Sequence, residues 1–242
     1  MAIVATASPE NTVTDSAEVQ IPLADVTRFV RQLSHDLRNH LNAAELQSAY
    51  ISEIAEDPEL KSEIKRLREM TASLGKALQN LTTSLAQVKL TKMPYRAADF
   101  VEDLQQKVGT QFRDQAPAIQ WNAAVAEAML EIDPQLLQEA MLELFANAFR
   151  HGRSEGSITA SFKIAGGSFV FTLQEPKIGF TFSTDRWGHE PFHTVGHGHY
   201  GLGLHRARSI LDAHGGKLEA HYDANASALV TSVTVPLSPN DK

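Results

Sequence analysis

The chain has 242 residues, 43% hydrophobic and 21% charged, enough for two modest domains with cores of their own. A formal net charge of −7 argues against a general nucleic-acid coat, but not against a nucleotide held by backbone amides and a metal. The absence of cysteine removes disulfides, thiolate catalysis and cysteine-based zinc sites, and it fits a reducing cytoplasm.

Residues 1–20 are rich in Ala, Thr and Ser and have no basic n-region. They are expected to form a disordered lead rather than a signal peptide. No later apolar run reaches the roughly 18 residues of a membrane span. The expected setting is cytoplasmic, with no membrane and no nucleic acid as partner.

Residues 21–92 are expected to form one unit, with a helical pattern from about Ile21 to Leu90. Val26, Val30, Leu33, Leu37, Leu41 and Ala44 step by three or four, and Ile51 and Ile54 resume the stripe. Asp57-Pro58 interrupts it with a helix stop and a favoured start. Leu60, Ile64, Leu67, Thr71, Leu74, Leu78, Leu81, Leu85 and Val88 then keep heptad spacing. Two such helices predict an antiparallel hairpin whose remaining apolar stripe is covered by a second copy, giving a dimeric four-helix bundle. A coiled-coil spacer has the same periodicity.

Residues 97–238 read as mixed α and β, with 239–242 as a tail. A short strand is expected around Ile119–Trp121. Asp133-Pro134 caps a helix running from Leu136 to His151. Ser157–Ile164 and Phe169–Leu173 alternate around Gly166-Gly167, a hairpin signal. Leu204–His214 is a helix closed by Gly215-Gly216, and Lys217–Tyr222 and Leu229–Val235 are strands. The overall class is α+β: a helical hairpin followed by an α/β sandwich.

The residues with chemistry begin at Ser34-His35-Asp36-Leu37-Arg38-Asn39. His35 lies beside the apolar stripe, so its ring can reach solvent. A neutral imidazole is a competent nucleophile, and the carboxylate of Asp36 can orient it and take its proton. Asn39, one turn on along the same face, can hold a water. A surface histidine on a polar helix face would carry the same letters. Further on, Glu143, Asn147 and His151 recur every four residues on one helix face and offer ligands to a hydrated Mg²⁺, or merely face solvent. Gly201-Leu202-Gly203-Leu204 opens a helix, where backbone amides can approach phosphate oxygens, although a bare Gly-x-Gly is also a common turn.

Taken in order, these motifs resemble those of two-component sensor histidine protein kinases. Ser34–Asn39 followed by His40-Leu41 is similar to the family's phosphoacceptor box, and Leu142–His151 to its asparagine box. Glu175-Pro176-Lys177-Ile178-Gly179-Phe180 stands where the family has an Asp-x-Gly-x-Gly loop. Glu190-Pro191-Phe192 resembles the phenylalanine box, and Tyr200–Leu204 with Ala213–Gly216 the last glycine box. The resemblance covers about Val26 to Leu237 and implies a histidine kinase-type ATPase domain behind a dimerising phosphotransfer hairpin. It implies His35 as the phosphoacceptor, assisted by Asp36 and Asn39. ATP contacts would come from Glu143, Asn147, Arg150, His151, Glu175, Gly179, Phe180, Gly201, Leu202, Gly203 and Leu204, with Asn147 the Mg²⁺ ligand. The implied partners are a second copy and the receiver domain of a response regulator.

Three places depart from the family. Glu175 replaces the aspartate that accepts from the adenine amino group, and Lys177 replaces the loop's first glycine. The lid carries His193, His197 and His199, which with His189 have a spacing also seen in zinc or nickel sites. His40 stands where the family often has proline, so the helix below His35 is expected to be straighter. The competing expectations are a phosphotransfer protein that relays phosphoryl groups through His35 without binding ATP, and a non-enzymatic dimeric scaffold.

Overall fold

A computed structural model describes residues 22–125, 127–150, 156–180, 183–191 and 201–237. The expectations placed on His151, Phe192, the lid histidines 193, 197 and 199, Tyr200, and most of the two termini lie outside those residues.

Helix α1 (Leu23–Ile54) and helix α2 (Pro58–Ser84) form the hairpin. Asp57 caps α2 by accepting from the Glu59 N–H at 2.9 Å, with Pro58 at the first helical position, where its missing N–H costs nothing. The helical run expected to reach Leu90 ends at Ser84, so Leu85 and Val88 belong to the connection that follows. The seam between the helices keeps Leu41, Ile64, Thr71 and Leu78 of the expected stripe and adds Ser34, Ser48 and Ala55. It is lined at heptad spacing by Ser34, Leu41, Ser48 and Ala55 against Ile64, Thr71 and Leu78. The hydroxyls of Ser48 and Thr71 donate to the Ala44 and Leu67 carbonyls of their own helices, so these polar groups are buried already satisfied. Leu33, Leu37, Ile51 and Ile54, and Leu60, Leu67 and Leu74, remain exposed. Arg38–Gln79 at 2.5 Å and Arg68–Glu45 at 2.7 Å fix the antiparallel register.

The second half begins with strand β1 (Met93–Arg96), helix α3 (Ala97–Gln111) and a 3₁₀ turn at Ala116–Ala118. Strand β2 (Ile119–Ala124) extends the expected short strand, and β3 (Met129–Ile132) pairs antiparallel with β1. Helix α4 (Pro134–Arg150), strands β4 (Ile158–Ala165) and β5 (Ser168–Pro176), helix α5 (Gly203–Ala213) and strands β6 (Lys217–Asp223) and β7 (Ala228–Pro236) complete it. The main sheet runs β2-β4-β5-β7-β6, parallel between β2 and β4 and antiparallel elsewhere. Gly166 and Gly167, at φ +59° and +71°, supply the left-handed pair that a two-residue hairpin turn requires.

One face of the sheet is covered by α3, α4 and α5. Phe162, Phe169 and Phe171 alternate onto that face and meet Phe100 and Phe145, with ring centroids 4.9 Å apart for Phe162–Phe171 and 5.8 Å for Phe145–Phe171. Among the described residues, no helix is long and apolar enough to cross a membrane.

Asp133 ties several parts together. It caps α4 by accepting from the Leu136 N–H at 3.1 Å, and it accepts from the Thr91 N–H at 2.9 Å. Its own N–H donates to Nε2 of the buried His214 at 3.0 Å, whose Nδ1 donates to the Ile210 carbonyl at 2.8 Å. Burial opposes the charge on Asp133, but the amides of Thr91, Leu136 and Gln135 outweigh it and hold its carboxyl below the usual range. His214 is therefore neutral, with Nδ1 protonated. Burial, the largest cause, pushes its pKa below the usual histidine value. The unfolded chain accordingly takes up the proton more readily than the folded one, so stability is full above the unfolded value near 6.5 and falls as pH drops below it. Urea melts from pH 7.5 to pH 5 are expected to show that loss, and His214→Gln to flatten it.

Candidate functional site

The hairpin places His35 on an exposed face of α1, with its side chain 67% accessible. Its Nδ1 lies 3.2 Å from Oδ1 of Asp36. Asp36 is braced in turn by Gln32, one turn back, whose Nε2 donates to both carboxylate oxygens at 3.0 and 3.2 Å. The hydrogen bond to His35, then that to Gln32, holds the Asp36 carboxyl below the ordinary range, so it is anionic at neutral pH. An anionic acceptor at Nδ1 selects the tautomer protonated there and leaves the Nε2 lone pair facing solvent. Asn39 is exposed one turn further along. Gln32 escaped the sequence reading, although its i, i+4 spacing to Asp36 is a visible signal.

The asparagine-box residues lie on α4. Glu143 is half-buried. Burial raises its pKa, Arg150 opposes that at a loose 3.9 Å, and Glu139 adds to it. Its carboxylate packs against Gly203 at the start of α5, where an added Cβ would have to displace the Glu143 side chain. The structure thus brings the asparagine box and the last glycine box into contact, with Leu202 buried at the α5 N-cap. Asn147 carries a buried Nδ2 with no hydrogen-bond partner. A buried amide left unsatisfied is costly, and because it offers a donor and an acceptor it suits a phosphate or a hydrated cation.

The loop after β5 forms a second cluster. Period two along β5 puts Glu175 on the same buried face as Phe169, Phe171 and Leu173. Lys177, two residues on, shares that face and pairs with it at 3.3 Å, the two side chains being only 9% and 7% exposed. The Lys177 ammonium also lies 5.4 Å from the centre of the Phe180 ring. The Tyr222 hydroxyl donates to the Lys177 carbonyl at 3.0 Å and accepts from the Gly179 N–H at 3.1 Å. The Phe180 ring sits beside Tyr222 and edge-on to Trp187. Gly179 takes φ +79°, whereas Lys177 is not among the left-handed residues, so the lysine is accommodated without backbone strain. Helix α5 joins the two clusters: Gly203 meets Glu143, and Arg208 donates to the Trp187 carbonyl at 2.7 Å. No group of three or more metal-ligating side chains occurs among the described residues.

Residues 132–239 match the family model described as "Histidine kinase-, DNA gyrase B-, and HSP90-like ATPase". The chain is 23% identical over 201 residues to the alginate biosynthesis sensor protein KinB of Pseudomonas aeruginosa, covering 79% of this chain and 34% of that protein. It is 24% identical over 204 residues to the sensor histidine kinase ZraS of Klebsiella oxytoca, covering 82% of this chain and 44% of that one. The chain therefore spans less than half the length of these curated relatives. Its fold is similar to that of full-length ShkA in complex with AMPPNP (TM-score 0.67, 18% identity, 88% of this chain and 46% of that one). It is also similar to the histidine kinase ThkA in complex with the response regulator protein TrrA (TM-score 0.56, 17% identity, 91% and 64%). Residues 132–239 carry an ATPase domain of this class. Together with the similarity to sensor histidine kinases, that match supports a two-component histidine kinase ATPase core.

Proposed function

We propose that the chain is a cytoplasmic protein-histidine kinase that phosphorylates His35 from Mg-ATP and passes the group to an aspartate of a response-regulator receiver domain. The observation that carries this reading is the Gln32–Asp36–His35 relay on an exposed helix face, which leaves Nε2 as the nucleophile. In the reaction a bond forms between Nε2 and the γ-phosphorus, and the bond to the oxygen of departing ADP breaks. The Nδ1 proton stays in contact with anionic Asp36, which stabilises the cationic ring as it forms. Gly201–Leu204 at the α5 N-terminus, Glu143, Asn147 and Arg150 on α4, and Glu175, Gly179 and Phe180 after β5 would line the nucleotide site. Asn147 would hold Mg²⁺, which neutralises phosphate charge in such reactions.

Incubation with Mg²⁺ and γ-labelled ATP tests the reading. It predicts acid-labile, alkali-stable label that moves to a receiver when one is added. Label accepted only from a phosphorylated receiver would replace it with a relay, and no label by either route would leave a scaffold.

The hairpin is proposed to dimerise into a four-helix bundle. Leu67 is 52% exposed, and Leu60 and Leu74 repeat it at seven-residue spacing on α2, flanking the buried Ile64 and Thr71. Each leucine buried there contributes about 1.5–3 kcal/mol, and two-fold symmetry counts it twice. Leu67→Lys with Leu74→Lys is expected to give a monomer by light scattering, with the ATPase half still folded.

A further inference from the structure

Arg206 stands on the first turn of α5, immediately after the Gly201–Leu204 box. A cation there opposes the helix dipole, so something other than helix stability must account for it. Its side chain is only 11% exposed, and the guanidinium is used in two directions. Nε donates to Oε1 of Glu139 on α4 at 3.1 Å, and Nη1 donates to the Ala86 carbonyl at 3.0 Å. Ala86 lies just past the end of α2, where the amides of Leu85 and Ala86 close the last turn on the Leu81 and Thr83 carbonyls and no basic residue stands in that turn. Arg206 supplies that missing C-terminal cation from the other half of the molecule.

The register set by Arg38–Gln79 and Glu45–Arg68 puts His35 at about the height of Leu78–Thr82, one to two turns before Ala86. We infer that Arg206 is a positioning residue: with Glu139 it clamps the ATPase half against the His35 end of α2, in a pose that leaves His35 open to an incoming receiver. Phosphoryl transfer needs reacting atoms within roughly 3.5 Å of each other. Its own ATPase half leaves His35 largely uncovered in the clamped pose, so that half must leave the pose to phosphorylate the histidine of the same chain. The connection is built for such a release. Thr91 stays tied to Asp133, and Val88 stays packed against the ATPase core, when Ala86 is freed, which leaves the chain between Ala86 and Val88 as the place to turn.

The kinase consequence rests on the function proposed above, but the clamp itself does not, and the experiment separates them. The chain has no native cysteine, so Lys76→Cys on α2 and Asp212→Cys on α5, both exposed, can be spin-labelled uniquely and diluted with unlabelled chain. Electron double resonance is expected to give a narrow distance distribution in the parent and a broad one in Arg206→Ala. Glu139→Ala, at a half-exposed site that does not threaten the fold, is expected to broaden it in the same direction. The initial rate of labelling from Mg-ATP should rise about fivefold in Arg206→Ala at unchanged KM for ATP, a split that general loss of structure would not produce. An unbroadened distribution in both variants overturns the clamp. A broadened one with an unchanged or slower labelling rate overturns its role in holding the ATPase half back. If the parent takes no label at all, the kinase reading fails and the distance distribution alone decides the clamp.

Discussion

Alanine at position 35 is expected to abolish phosphoryl uptake, from ATP and from a phosphorylated receiver alike, while leaving stability within about 0.5 kcal/mol of the parent. The two halves of that expectation come from different features of one side chain. His35 is exposed and its described polar contact is with the adjacent Asp36, so its removal takes nothing from the hairpin seam. Chemically it is irreplaceable, because neither Asp36 nor Asn39 can present a neutral nitrogen nucleophile. Label persisting in His35→Ala, or a large loss of stability, would show that the residue has been assigned the wrong part. Labelling and a thermal melt on the same preparation decide it.

Lys177→Met is expected to destabilise the chain by about 3–5 kcal/mol, the usual result of stripping one partner from a buried ion pair. Both side chains are too little exposed for water to take over the lysine's role, so a carboxylate on a face built from phenylalanines would lose its ion-pair partner. Adding Glu175→Gln to Lys177→Met is expected to recover at least half of the loss, because two neutral groups leave no uncompensated charge. Urea midpoints for the single and double variants measure this. If the double variant is no more stable than the single one, the pair is not what Lys177 contributes.

The elements that were legible in the sequence are those whose signals are local. Asp133-Pro134, Gly166-Gly167 and Gly215 specify their cap and turns through backbone geometry that few other residues tolerate. Helix α3 was overlooked although Phe100, Val101, Leu104 and Val108 mark its buried face at helical spacing. The pair of helices and the Leu41, Ile64, Thr71 and Leu78 part of the seam follow from heptad spacing, but Ser34 and Ser48 do not, because a serine carries no apolar signal. A hydroxyl that satisfies itself on its own helix can be buried, and composition alone hides this. At the site, Gln32–Asp36 and Glu175–Lys177 follow directly from periods of 3.6 and two. Tyr222 against Gly179, and Arg206 against Ala86, join positions 43 and 120 residues apart and depend on how sheet and helices pack. No local pattern announces them.

The central claim is that His35 carries the phosphoryl group on Nε2, and locating that group on the intact protein tests it most directly. Peptide mapping of protein treated with Mg-ATP, with phosphorus–nitrogen coupling in the NMR spectrum, should place it on His35 and assign Nε2, because Asp36 occupies Nδ1. Phosphate on any other residue, on Nδ1 of His35, or nowhere on the chain after both ATP and phosphorylated-receiver treatment, would contradict the account.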